Sequence, residues 1–158
     1  MDLVEALTSL CAKVEALAQG SRAGLTICDL GHTHIERAIF PTLPASFSSA
    51  LSGVPLQPAS FGSCVQAISR GEVITCGDIA KNTFFDPQWR QVCLQHGLRA
   101  IQSRPINVNG KARGTFVLAF KEARRESDWD AALMTFAADA ASEALANSEA
   151  PEKTVMAW

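Results

Sequence analysis

SFGSCVQAISRGEVITCGDIAKNTFFDPQWRQVCLQHGLRAIQSRPINVNGKARGTFVLAF, residues Ser60 to Phe120, decides the fold. Its last third is two strand-like runs, Arg99–Val108 and Lys111–Phe120, around Asn109-Gly110. That dipeptide suits a type I′ turn, because both central positions need a positive φ, so the runs form an antiparallel hairpin. Upstream, Asp86-Pro87 is an N-cap followed by a first helical proline, which starts a helix from Pro87 to Gln95 that His96-Gly97 ends. Glu72–Ile79 reads as a strand, and Gly62-Ser63 opens a short helix from Cys64 to Ser69 that Gly71 closes.

Outward from that block, Gly24–Leu30 and His34–Phe40 read as a second hairpin about Gly31-His32-Thr33. A short helix follows from Pro44 to Leu51, and Val54–Ser60 is an extended, proline-containing linker. A helix over residues 2–19 precedes them, with Leu3, Leu7, Leu10, Val14 and Leu17 spaced 4, 3, 4 and 3 apart. This seam is too short for an independent coiled coil, and it docks either on the chain's own last helix or on a second copy. The last helix, 127–147, is capped by Ser127, with Trp129, Leu133, Phe136, Ala137, Ala140, Ala144 and Leu145 as its apolar stripe. Residues 148–158 read as a loose polar tail in which Val155, Met156 and Trp158 have no assigned place. The expectation is one α+β domain over residues 1–147, an antiparallel sheet of five or six strands with helices over it.

Bulk properties narrow the function classes. With 158 residues, 47% hydrophobic and 19% charged, the chain can bury roughly 68–70% of its unfolded surface in one core. A net charge of −2 without a basic cluster argues against nucleic acid and anionic membranes. No apolar run reaches the ~18 residues that span a bilayer, and MDLVEAL is not a signal peptide, so the expected location is the cytoplasm. Five cysteines without CxxC spacing signal neither a disulfide framework nor a zinc site. His32, His34 and His96 lie at turns and a helix end, so no metal or cofactor is expected.

GSCVQAISRGEVITCGDI, followed by DPQW, HGLRA, SRPI, NGKARGTFVL and a closing helix, resembles the GAF domain family of small-molecule sensors, over Leu3 to Leu145. The resemblance implies a ligand pocket between one sheet face and the covering short helices, and a terminal helical pair that often dimerises. Three subfamily signatures are not met. No cysteine is followed by the histidine that accompanies bilin attachment. The cyclic-nucleotide signature is reduced to Asn82-Thr83-Phe84. The free methionine-R-sulfoxide reductases have this fold and cysteines near Cys64, Cys76 and Cys93, but Ile101-Gln102-Ser103-Arg104-Pro105-Ile106 departs from their pattern, and the acidic residues that follow it there are missing.

The candidate ligand-binding set is Phe61, Gly62, Ser63, Cys64, Cys76, Asp78, Phe85, Trp89, Cys93, Arg99, Ile101 and Ser103. Free N–H groups at the Gly62-Ser63-Cys64 helix start favour a small anion or carboxylate by ~0.3–1 kcal/mol, and resemblance to GAF nitrate receptors points the same way; the plain alternative is that Ser63 caps the helix. A thiol at a helix start is activated and a nearby one can resolve its sulfenate, whereas most cysteines are small buried hydrophobes. Phe61, Phe84, Phe85 and Trp89 supply aromatic walls, with Asp78, Arg99 and Arg104 at strand ends, or else they are core.

Three functions remain: a non-catalytic sensor that binds a small molecule or anion and signals through its terminal helices, as a homodimer, to a partner; a thiol oxidoreductase with Cys93 as nucleophile and Cys64 or Cys76 resolving; and a dimerisation module without ligand. The first requires a hollow between the central strands and the Ile79–Arg99 crossover.

Overall fold

The computed structural model describes residues 2–149. Its centre is the strand with the longest apolar alternation, Lys111–Phe120 (β5): Phe116, Leu118 and Phe120 face one layer, Val117 and Ala119 the other. On one side β5 pairs with Ser21–Cys28 (β1), which pairs in turn with Ile35–Ile39 (β2); on the other it pairs with Ala100–Val108 (β4), then Ile74–Cys76 (β3). All pairings are antiparallel, giving a five-stranded sheet of order β2-β1-β5-β4-β3. Asn109 and Gly110 adopt φ of 54° and 77°, the two positive values that the β4–β5 hairpin turn requires.

Two helices cover one face. Leu3–Leu17 (α1) begins where the Asp2 carboxylate accepts the Glu5 N–H at 2.8 Å, and buries Leu7, Cys11 and Val14. Ala131–Glu149 (α5) buries Met134, Ala137, Ala138, Ala141 and Leu145. Both pack on Ala23, Leu25, Ile27, Ile106, Phe116 and Leu118 in one apolar cluster. Thus the α1 seam docks on the chain's own sheet and last helix, while Leu17 remains 63% exposed. The far end of α5 is tied to the sheet by an ion pair from Arg113 of β5 to Glu149, with the same guanidinium donating to the Cys28 carbonyl at 3.2 Å.

The opposite face carries Ala45–Leu51 (α2), Ser63–Arg70 (α3) and Pro87–Gln95 (α4), packed through Phe47, Leu51, Val65, Ile68 and Trp89 onto Ile101, Val117 and Ala119.

Several boundaries differ from expectation. β1 starts at Ser21, three residues before Gly24, because β5 offers a partner as far as Phe120. The strand expected over Glu72–Ile79 shrinks to Ile74–Cys76; at Gly77 an added Cβ would lie 2.4 Å from the Arg124 carbonyl oxygen, and a 3-10 turn over Ile79–Lys81 follows. Ser127 lies in a separate 3-10 turn, and Asp130 begins α5 by accepting the Leu133 N–H at 3.0 Å. The buried face of α5 includes Met134 and leaves Phe136 43% exposed, a shift of the expected stripe. α5 runs through Glu149, so residues 148 and 149 are helical rather than tail; Val155, Met156 and Trp158 lie outside the described residues.

The β1–β2 turn rests on Asp29, whose carboxylate accepts from the N–H groups of His34 and Thr33 and from the Thr33 hydroxyl at 2.7–2.9 Å. These bonds, that from His34 foremost, hold the Asp29 carboxyl well below the usual carboxylate range. A depressed pKa contributes stability that is complete above the ordinary value of about 4 and lost only as pH falls toward the folded pKa. The Asp29 carboxyl carbon signal should therefore show its acid transition well below pH 4 in an NMR titration; a midpoint near 4 would contradict this network.

Candidate functional site

The crossover from α3 to β4 brings ten of the twelve candidate residues onto one face of the sheet. α3 begins at Gly62, whose extended backbone lets the first helical residue, Ser63, turn inward. Ser63 does not cap the helix, as the plain reading expected: its hydroxyl meets that of Ser103 on β4 at 3.0 Å. Cys64 Sγ lies 3.5 Å from the same Ser103 oxygen. On the neighbouring strands, Thr115 and Thr26 share a hydroxyl–hydroxyl bond of 2.6 Å. Ser63, Ser103, Thr26 and Thr115 are all 0% exposed, so a patch of hydroxyl groups lies inside the apolar layer, paired internally as a buried polar group must be.

Beside this patch, α4 packs on the start of α3. Trp89 packs against Phe85 with ring centroids 4.9 Å apart, and its indole fills the space at Gly62: a Cβ added there would meet Trp89 atoms at 2.3–2.7 Å. Cys93, one α4 turn further on, and Ile101 close the remainder; Trp89, Cys93 and Ile101 are 2%, 0% and 1% exposed. The hollow expected beneath the crossover is thus occupied by the indole, because Gly62 has no side chain to hold it off. Phe61 is half-buried at the edge, and Phe84, expected as a wall, is 61% exposed.

Asp78 and Arg99 pair with each other. Two guanidinium nitrogens of Arg99 donate to the two Asp78 oxygens at 2.8 and 3.2 Å, and this bond holds the Asp78 carboxyl below its usual range. Asp78 is therefore an anion at neutral pH with no proton to give, and Arg99 is already engaged. The missed members of the site are Thr26 and Thr115; their signal was two polar residues within otherwise apolar strand runs.

The cysteines bear on catalysis. Burial pushes the thiols of Cys64 and Cys76 up and that of Cys93 well up, the last with help from the other two thiols nearby; Cys11 is raised to about 12. The thiolate is the nucleophile, so none of these is poised for attack at neutral pH. Ellman's reagent at pH 8 should label less than about one of the five cysteines within minutes in the native protein and all five in guanidinium. Fast labelling of Cys93 would overturn this assignment. Among the described residues, no group of three or more His, Cys, Asp or Glu is placed to hold a metal, and no helix is long and apolar enough to cross a membrane.

The five-stranded order, the helical pair behind it and the α3–α4 cover are the architecture that residues 2–145 share with the GAF domain model, which matches that span. This chain belongs to the GAF domain family. A curated relative, the methyl sulfide methyltransferase-associated sensor of Methanosarcina acetivorans, is 26% identical over 124 residues, covering 78% of this chain. The chain spans only 12% of that relative's length. Among solved structures, a segment of a methyl-accepting chemotaxis protein superposes with a TM-score of 0.64 at 17% identity, over 93% of this GAF domain and 89% of that chain. The free methionine-R-sulfoxide reductase of Neisseria meningitidis, solved with its substrate, does so at 0.65 and 16% identity, over 93% and 80%. At such identities the likenesses carry the fold alone, and this GAF fold holds both a chemoreceptor segment and an enzyme.

Proposed function

We propose that this GAF domain is a non-catalytic sensory module that binds a small molecule or small anion between the sheet and α4. In this reading it passes the event to a partner through α1 and α5. The observation that carries it is the hydroxyl patch of Ser63, Ser103, Thr115 and Thr26, fully buried where the start of α3 meets the sheet, with Trp89 packed on the adjacent Gly62. Polar groups in a core must be paired, and these are paired with one another and with the Cys64 thiol, through bonds that a ligand can replace. The two charged candidates, Asp78 and Arg99, are engaged with each other, so the fitting ligand is small and neutral or singly charged. Twelve residues thus serve as the proposed site, with Phe61, Gly62, Phe85 and Trp89 as its aromatic and glycine side, and Cys64, Cys76, Cys93 and Ile101 as its apolar lining.

The hollow that this reading requires is closed in the structure by the indole, so a ligand enters the site only by moving Trp89 and with it α4. The mechanism is a population shift, in which the ligand stabilises the arrangement with the indole displaced. β4 carries Ser103 on the ligand side and Ile106 in the cluster shared with α5, so a displacement at the site reaches the terminal helices through one strand. Leu17 and Phe136, 63% and 43% exposed, lie on those two helices and offer apolar contact to a second copy in the proposed homodimer.

The test is mass spectrometry of the small molecules that co-purify, followed by a thermal-shift screen of metabolites and anions. A ligand at 100 times its Kd should add about 2.7 kcal/mol of stability. Thiol-dependent turnover of free methionine sulfoxide that disappears in Cys93→Ser would replace the sensor with a reductase, a reading that the protonated thiols disfavour. A screen in which nothing moves the melting temperature would leave a dimerisation module.

A further inference from the structure

A cavity of about 510 Å³ lies away from the Trp89 site, where the start of β1, the end of β5 and the end of α4 meet. Its charged lining is Arg22 and Lys121, and no acidic residue lines it. Neither cation has an ion-pair partner among the described residues. Arg22 is held at the rim by one bond, from Nη1 to the Thr42 carbonyl at 3.3 Å, which leaves its other N–H groups free for a guest. Leu43, Pro44 and Leu98 supply an apolar side, and the volume lies within the range of small-ligand sites.

The end of α4 beside this cavity would repel an anion if its carbonyls were bare. They are not. His96 and Leu98 donate to the Cys93 carbonyl, Gly97 donates to that of Leu94, and His96 Nδ1 donates to that of Val92 at 2.8–3.1 Å. His96 Nε2 meets the Ser46 hydroxyl at 2.8 Å, so its ring is fixed at both ends. Glu15, which touches this region, has Oε2 engaged by the Ala23 N–H and the Thr42 hydroxyl.

We propose that this cavity binds an organic anion with an apolar body, its phosphate or carboxylate head held by Arg22 and Lys121 and its body against Leu43, Pro44 and Leu98. The site shares no lining residue with the one at Trp89. It also touches Gly20-Ser21, which follow α1, and Lys121, which follows β5, so its occupant sits beside the end of α1 and the end of the central strand.

The experiment is an NMR titration of the ¹⁵N-labelled domain with phenyl phosphate, benzoate, inorganic phosphate and benzyl alcohol. Phenyl phosphate or benzoate should give saturable shifts at the amides of Gly20, Ser21, Gly97 and Leu98, and whichever binds tighter names the head group. Inorganic phosphate and benzyl alcohol should each bind at least about tenfold more weakly. Arg22→Gln and Lys121→Gln should each raise Kd about tenfold, as loss of a charge-assisted hydrogen bond does, without changing the melting temperature. Binding of neither anion, equal binding of inorganic phosphate or of the alcohol, or full affinity in the double variant would overturn the proposal. Shifts confined to Ser63, Ser103 and Trp89 would overturn it too while leaving the sensor reading intact.

Discussion

Trp89→Ala is expected to destabilise the domain by about 3–5 kcal/mol, the range for deleting a large buried aromatic and leaving its cavity. The indole is 2% exposed, packs at a tilt against Phe85 and rests on Gly62, so the void cannot be filled by a small shift of a neighbouring side chain. Urea unfolding with an unchanged m-value would measure the loss; a value under about 1 kcal/mol would mean that α4 collapses onto the sheet without it. The variant carries a second expectation. Its cavity would open beside Gly62, so free indole at millimolar concentration should raise the melting temperature of Trp89→Ala and not that of the parent. Failure of this rescue would mean that the Trp89 space does not stand open when its occupant is removed, which would count against a ligand site there.

Gly114→Ala should have an effect at least as large, by a different route. Gly114 lies in β5 opposite Ile27 of β1 and Ile106 of β4. A Cβ there would sit 2.0 Å from the Thr26 carbonyl oxygen, 3.0 Å from its carbon and 3.1 Å from the Ile27 Cα, all backbone atoms. A side chain can rotate away, whereas a paired strand cannot without giving up ladder bonds at the centre of the sheet. The expected loss is about 4 kcal/mol or more, seen as a fall in melting temperature of more than about 8 °C or as insoluble protein. A variant that melts within about 2 °C of the parent would show that β1 and β5 can part locally at little cost.

The two variants touch the two things that sequence reasoning handled differently. The β4–β5 hairpin was legible because Asn109-Gly110 determines a local geometry, and α4 because Asp86-Pro87 marks a helix start with two independent signals. Both were found where expected. Ends set by distant partners were not legible: β1 begins where β5 offers a mate, and Asp130 rather than Ser127 starts α5 because the chain first makes a 3-10 turn. In the site, clustering of the cysteines, Trp89 and Ser103 followed from the strand and helix placement. That Trp89 would settle on Gly62 depends on the tertiary approach of α4 to α3, which no local pattern encodes. Thr26 and Thr115 were passed over as ordinary strand residues, since their pairing spans 89 positions.

The tie between Arg113 and Glu149 limits what α5 can transmit. Arg113 grips the last turn of α5 and the end of β1 together, while Ala137, Ala138 and Ala141 bring the middle of the helix close against the strands. Spinning the helix about its own axis would tear that grip, whereas tilting the whole rod with the sheet would preserve it. In the proposed sensor, α5 would therefore act as a lever and not as an axle.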